Sequence, residues 1–464
     1  MLLALVFGAL FLTVFSGLSG YVLSENNFEV AKRAQSEATA IAEAGLEYYR
    51  WHLAHFPNDL QNGTGHAGPY VMTYADPEGS TVGTYSLDIL GNQSCGQTTS
   101  VDIRSTGAPA DVANVSKTLI ARYAQPTVAQ YAYIVNDSVW AGPDRVIKGP
   151  YHSNGGVRMD GAANALVTSS LSSWTCTSDF GCSPNQTKPG VFGSGSDQEL
   201  WNYPTPQVDF DAIAANFTTL RSIAQSNGVY LPRYSSGNAN SAAYHKGYHL
   251  IFNANGTVTV ERVTSTSKLT ATPLNSADSS ADYSLIQNET MYNTYTIPSS
   301  CGLIFVEDNA WIEGVVPSKA TVVVANVSDQ GVTSEAYLHG NLSYSSTAAG
   351  LTLISQNDIL ITPDSPQDMT LEGIFVAQGG AFGRNYYSCA TYPSYSQKGT
   401  LTMLGTTVSN KRTGTQWSGS ACGKSYSSGY ATRVDSFDRA QFAEPPPFTP
   451  ILSTDYQFID WRQE

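Results

Sequence analysis

Charge is what this sequence has little of. Lys, Arg, Asp and Glu make up 13% of its 464 residues, against about a quarter in a typical soluble protein. The balance is negative, with 24 Lys and Arg against 38 Asp and Glu, a net of −14. Such a surface does not neutralise a phosphate backbone, so nucleic acid is excluded as a partner. Cysteine is sparse too, and no two cysteines form a CxxC pair. Zinc-ribbon and thioredoxin-type chemistry therefore lack support. HExxH and GxSxG are both absent, which removes the commonest metalloprotease and hydrolase signatures. SGSACGKS (Ser418 to Ser425) has Ser418 where a phosphate-binding loop needs its first Gly. No apolar strand leads into it and no helix follows, so nucleotide binding is set aside.

Charge is missing altogether from residues 1–24, MLLALVFGALFLTVFSGLSGYVLS. About 20 apolar residues suffice to span a hydrocarbon core. No Lys or Arg precedes the run, whereas a signal peptide or an N-in anchor begins with positive charge. No small-residue cleavage site followed by a loop comes after it; helical sequence continues through ENNFEVAKRAQSEATAIAEAGLEYYRWHL. The expectation is a retained helix whose leader has already been removed, with an uncleaved signal anchor and an ordinary signal peptide as alternatives. In residues 25–56 Phe28, Ala31, Ala34, Ala38, Ile41, Ala42, Gly45, Leu46 and Tyr49 recur at three- and four-residue spacing. Small residues dominate that stripe and permit close backbone approach. A membrane anchor followed by a stalk is the plain reading. The sharper one is a helix buried first in a membrane and then among copies of itself. Its core-facing residues would be Leu2, Leu3, Leu5, Val6, Phe7, Leu10, Phe11, Val14, Phe15, Leu18, Val22, Phe28, Ala31, Ala38, Ile41, Gly45 and Leu46.

The segments LLALVFGALFLTVFSGLSGYVLSEN and AKRAQSEATAIAEAGLEYYRWHLAHFP carry a family resemblance. They resemble the N-terminal region of type IV pilins and pseudopilins, and more closely of PilX-type pilus-assembly proteins, with Ala42 to Leu53 the most similar part. The resemblance covers about the first 60 residues. It implies a leader peptidase, a pilus assembly machinery, insertion in the cytoplasmic membrane, and helical polymerisation into an extracellular surface filament. Two positions depart from the family pattern. Leu5 stands where pilins commonly carry Glu, and Met1 where they carry Phe. If Met1 is the mature first residue, the usual pairing of that Glu with a neighbour's amine is absent. Gly17 and Gly20 weaken a helix, and mark either local melting in a filament or close packing.

After Phe56 the sequence turns rich in Gly, Ser, Thr, Asn and Tyr, with 40 Gly and 27 Tyr in the whole chain. Residues 57–125 read as a small β unit that would cover the helix's apolar stripe. PYVMTYADPEGSTVGTYSLDIL is a hairpin with its turn at Asp76 to Gly79. Residues 126–445 hold short strands with an internal repeat. Ile134 to Trp140 aligns with Phe305 to Trp311, and Leu353 to Ile359 and Phe375 to Ala381 share the weaker pattern. Each reads as a strand, a polar corner and a second strand, which implies stacked coils. The fold expected is mainly β with one long N-terminal α-helix: a pilin-like helix plus small β unit, then an irregular right-handed parallel β-helix, with a β-sandwich as the alternative. An insertion spans about 171–300, with a helix near Asp209 and a hairpin turn at Asn255-Gly256. The tail 446–464 opens on a proline run and docks back on the body or on a neighbour.

Cys95, Cys176, Cys182, Cys301, Cys389 and Cys422 are an even number, which in an exported chain points to disulfides. Six cysteines allow 15 pairings. Cys176 with Cys182 in one loop comes first, Cys389 with Cys422 second, and Cys95 with Cys301 by elimination. Ten sequons lie at Asn62, Asn92, Asn114, Asn136, Asn185, Asn216, Asn255, Asn288, Asn326 and Asn341. They are glycosylation candidates, or turn-forming Asn beside surface Ser and Thr.

No catalytic residue, metal ligand or cofactor is assigned. His245 and His249 fall on an alternating stretch and read as a solvent-facing polar strand; His152 reads as a structural turn residue. Trp140 and Trp311 read as packing, with a sugar-stacking platform as the alternative. A polysaccharide-active β-helix enzyme would need paired carboxylates. Asp308 with Glu313 and Asp364 with Asp368 are the pairs on offer, and nothing in the sequence brings them together. The chain reads as a structural subunit, not an enzyme. It polymerises with copies of itself and displays a β domain for adhesion to surfaces, including glycans. A minor tip pilin or adhesin and a membrane-anchored enzyme are the alternatives.

Overall fold

The computed structural model describes residues 2–237, 241–329 and 332–464. The chain is mainly β with one long N-terminal helix, α1, Leu2–His55. Proline first occurs at Pro57, so nothing interrupts the intrahelical hydrogen bonds until then. Ala, Leu and Glu, strong helix formers, crowd residues 31–47. At 1.5 Å per residue α1 is about 80 Å long. The chain separates into two compact units, residues 1–93, 98–125 and 454–464 in one and residues 94–97 and 126–453 in the other.

In the first unit the second half of α1 packs on a five-stranded sheet. Its order is β1 (Tyr70–Ala75), β2 (Thr81–Ser94), β3 (Gln97–Pro109), β4 (Lys117–Ala124) and a C-terminal strand, Gln457–Gln463. Alternation in the strands supplies the core face. Leu87 of β2, Val101 and Ile103 of β3, and Leu119, Ala121 and Tyr123 of β4 meet Ile41, Ala42, Tyr49 and Leu53 of α1. The tail was expected to dock, and it does so by strand addition, pairing antiparallel with β4 from Gln457↔Ala124 to Gln463↔Leu119. The small β unit is therefore not confined to residues 57–125.

The second unit has mixed strand pairing. One parallel ladder runs through Val229–Leu231, Leu303–Val306, Lys319–Val324, Gly350–Ser355, Met369–Ala377 and Gln397–Ser409. It then continues through segments from earlier in the chain, Tyr133–Val135, Tyr151–Ser153, Val167–Ser169 and Trp201–Asn202. A second parallel ladder joins Gly247–Asn253, Asn309–Val316, Ala336–Tyr344, Ile359–Ile361 and Phe382–Gly383. The repeat seen in the sequence maps onto these ladders: Leu353 and Phe375 are direct register partners. Polar corners stack as well, with Asn154 donating to Asn136 and Asn136 to Asn410, both at 2.7 Å. Valine, isoleucine, leucine and phenylalanine fill the interior, as strands buried on their inner side require.

Antiparallel strand pairs break the parallel pattern as well. Residues 173–176 pair with 186–189, and residues 416–421 with 424–436. The strand Gly247–Asn253 turns into Thr257–Ala271, which turns into Ser280–Thr296. The segment 171–300, expected to lie outside the repeats, is partly woven into them, because Val229–Leu231 and Gly247–Asn253 each pair parallel with a later strand. The short helix forms at Phe217–Asn227 rather than from Asp209, since Asn216 caps it by accepting from Thr219 N–H at 3.1 Å.

Candidate functional site

Two features of the molecule need an explanation beyond folding: the bare half of α1 and a cluster of histidines and carboxylates. From Leu3 to Arg33 every residue of α1 is exposed. Leu3, Leu5, Val6, Phe7, Leu10, Phe11, Val14, Phe15, Leu18, Val22 and Phe28 all present apolar side chains outward, Leu3 at 74% and Phe11 at 68%. α1 is long and apolar enough to cross a membrane. Burial starts at Ala34. Of the residues expected in a filament core, Ala31 is exposed, whereas Ala38, Ile41, Gly45 and Leu46 are not available. Their face is taken by the chain's own sheet, because the close approach allowed by Ala and Gly is used inside the subunit. The side chain of Leu2 lies outside the described residues.

The cysteines form three disulfides, Cys95–Cys301, Cys176–Cys182 and Cys389–Cys422, and none is left free. Of the sequon asparagines, Asn114, Asn136, Asn185, Asn216, Asn255, Asn288 and Asn341 are exposed and Asn62 and Asn92 half-buried. Asn326 is buried, at 5% exposure, and its side chain accepts from Asp329 N–H. SGSACGKS forms the antiparallel hairpin at 416–436, with its turn at Cys422 and Gly423, both at positive φ.

The histidine readings change most. His249 is buried, with only 3% of its side chain exposed. His245 precedes the strand and stacks on Tyr283 at 3.7 Å. His152 lies in a strand, bonded to Thr168 and Asn154. Solvent was expected on the outer face of the Gly247–Asn253 strand because its residues alternate. The hairpin 257–296 covers that face instead, burying Val263 with Trp311, Tyr337 and Leu360. Trp311 is thus core, fully buried, donating from Nε1 to Ser284 O at 2.6 Å.

Beside this cluster His249, Glu313 and His339 offer nitrogen and oxygen atoms all within 4.8 Å of one another. Three adjacent strands of the second ladder supply them. His249 sits opposite Trp311, and Ile251 opposite Glu313. The register between residues 309–316 and 336–344 slips after Ile312, where a bulge re-aims the side chains beside it. His249 Nε2 lies 3.2 Å from Glu313 Oε1, and its Nδ1 lies 2.9 Å from Glu289 Oε2. His339 Nδ1 lies 3.6 Å from Asp364 Oδ1, and the two imidazoles meet edge to face at 5.0 Å. His249 Nε2, His339 Nδ1 and Asp364 Oδ1 are buried without a hydrogen-bond partner. The His249 imidazole holds the Glu313 carboxyl below its ordinary range, against burial. Burial works against the His339 imidazolium, yet Asp364 and then Glu313 raise its pKa. Glu313 and Asp364 therefore come together, though not in the pairs the sequence offered. Asp308 instead accepts from the backbone N–H groups of Tyr234 and Ser235, and Asp368 from Thr400 N–H. No spacing rule could have found this set, because its members are spread over residues 249–364.

A second acidic group lies nearby in the fold. Tyr337 OH donates to Glu335 Oε2 at 2.7 Å. Burial first, then Asp358 and Asp282, push the Glu335 carboxyl up to about 7 from an ordinary 4.5. The folded state then holds a proton that the unfolded chain releases between those values. This contribution to stability is complete below about pH 4.5 and is lost as pH rises through about 7. Glu335→Gln keeps the neutral form and should remove the loss, gaining roughly 1–3 kcal/mol over the wild type between pH 5 and pH 8. Urea midpoints at the two pH values check it; parallel shifts in both proteins would refute it.

A cavity of about 420 Å³ opens on the second unit, with Trp140, Phe180, Arg412, Trp417 and Arg433 in its wall. Trp140 is half-buried there, held by Asp160 at 2.8 Å and by Arg158 over its ring at 4.2 Å.

No protein-family model and no curated protein matches the chain. Among solved structures it is similar to the competence-associated pilin ComZ from Thermus thermophilus, at 13% identity and a TM-score of 0.34, over 93% of this chain and 97% of that one. A superposition that loose decides nothing about function by itself.

Proposed function

We propose that the chain is a subunit of a type IV pilus-like filament on the cell surface. The observation that carries this reading is α1, whose residues 3–33 are wholly exposed while residues 34–53 are anchored on the subunit's own sheet. Water does not tolerate such a rod. It is inserted in the cytoplasmic membrane first, processed by a leader peptidase, and passed by an assembly machinery into a bundle of its own copies. At about 25 cal/mol per Å², burying its apolar side chains yields a gross gain on the order of tens of kcal/mol, less the cost of ordering. In this reading the parallel ladders of the second unit are coils of an irregular right-handed β-helix displayed outward for adhesion. The cavity beside Trp140 and Trp417 suits a sugar ring stacked on indole.

Removing residues 1–24 is expected to give a soluble monomer that forms no filaments. Electron cryomicroscopy of sheared surface material, with the intact chain, should show copies of α1 at the filament centre. Filaments from the truncated chain would refute the reading. Filaments that carry the chain only at their ends would make it a tip subunit.

A further inference from the structure

We propose that His249, Glu313 and His339 form a binding site for a divalent metal ion of the zinc class, with Asp364 and Glu289 behind the two imidazoles. The three ligand atoms lie within 4.8 Å of one another, and the one close pair has the spacing of two ligands on a single ion. Ligands about 2.0–2.1 Å from a tetrahedral zinc stand about 3.3 Å apart. His249 Nε2 and Glu313 Oε1 are 3.2 Å apart yet make no hydrogen bond. His249 is almost completely buried, and a buried imidazole nitrogen left unpartnered is costly. Its other nitrogen is engaged by Glu289 at 2.9 Å. That is the carboxylate–histidine arrangement which fixes a ligand's tautomer and aims the second nitrogen at a metal. Asp364 stands in the corresponding place on His339, at 3.6 Å, either as orienting group or as fourth ligand.

Two imidazoles select against calcium and magnesium, which take oxygen ligands. The carboxylates and the absence of free cysteine suit a borderline ion in an oxidising compartment. The ligands come from strands 249, 313 and 339, so a bound ion would tie three adjacent rungs of one ladder. The hairpin that supplies Glu289 would be fastened over them.

The test uses the full chain in detergent micelles, stripped with a chelator and titrated with zinc chloride by calorimetry, and separately with cobalt(II) followed by visible absorption. One zinc per chain, an intense tetrahedral cobalt spectrum, and no displacement by millimolar calcium are expected. His249→Ala and His339→Ala should each weaken binding about 100-fold or more, and Asp364→Asn about 10- to 100-fold. His339 is partly exposed, so its variant decides the matter if the His249 variant fails to fold. Thermal melts in chelator establish that the variant is folded. No zinc uptake by the wild type, or uptake unchanged in His339→Ala, would overturn the proposal. Displacement of zinc by calcium would overturn its nitrogen ligation.

Discussion

Asp435→Ala is expected to destabilise the second unit by about 3–5 kcal/mol, the usual result of stripping one partner from a buried ion pair. Arg145 and Asp435 each expose only 3% of their side chains, and Nε donates to Oδ2 at 2.9 Å. Tyr133 OH donates to the other carboxylate oxygen at 2.8 Å, and the guanidinium lies over the Tyr133 ring at 4.6 Å. Burial alone would lower the Arg145 pKa; Asp435 outweighs it and raises the value. Without that carboxylate a guanidinium is left in the interior with no anion, and a phenol loses its acceptor. The site also joins distant parts of the chain. Residues 145–148 pair with 433–436, and 133–135 with 407–409. Arg433 adds a two-pronged bond to Asp144, at 2.7 and 2.6 Å. Urea denaturation measures the loss, and hydrogen exchange should show the opening concentrated in residues 133–153 and 424–436. Asp435→Asn should lose nearly as much, because shape without charge leaves Arg145 unpaired. Adding Arg145→Met to it should recover much of the stability. A loss under about 1 kcal/mol for the alanine variant would mean that Arg145 finds water or another anion.

That junction was not legible in the sequence, and the reason is physical. Parallel strands pair through backbone groups that every residue carries, so nothing in residues 133–135 announces residues 407–409 as their neighbours. Local chemistry was legible. The uncharged run to Ser24 and the small-residue stripe after it specified α1. The strand-corner-strand pattern was legible too: Leu353 and Phe375 are in register, and Asn136, in the corner before Trp140, bonds Asn154 and Asn410 on neighbouring rungs. His249 shows the limit. Alternation placed it on the outer face of its strand, which is where it lies. Whether that face meets water depended on the hairpin 257–296, which folds over it. Its neighbours Glu313 and His339 then follow from register, with a bulge at residues 312–314. In the same way α1 was read as amphipathic beyond residue 25, but only the sheet shows that Ile41 and Leu46 are already used within the subunit.

Gly107→Val should release α1 from its sheet, costing at least about 3 kcal/mol, the top of the usual range for overpacking. A Cβ at Gly107 would stand 2.2 Å from the Ala38 carbonyl oxygen and 2.5 Å from the Ala42 nitrogen. Both are helix backbone, so no rotamer change relieves the clash. From the other side, a Cβ at Gly45 would stand 2.3 Å from Ser105 Oγ and 2.9 Å from the Tyr85 ring. Helix and sheet approach as closely as they do because neither surface carries a side chain at these points. Lifting α1 uncovers Ala38, Ile41 and Ala42, none of which is exposed in the native unit. Limited proteolysis should then cut within residues 34–55, and thermal unfolding of the first unit should begin earlier. In the filament reading proposed above, assembly should fail as well, since it needs α1 held on its own sheet. Gly20 supplies the contrast, for nothing lies within 4 Å of a Cβ there. Gly20→Ala should leave the first unit intact and strengthen the helix by up to about 1 kcal/mol. Should Gly107→Val keep residues 34–55 protected and still enter filaments, the close helix–sheet contact would not be what positions α1.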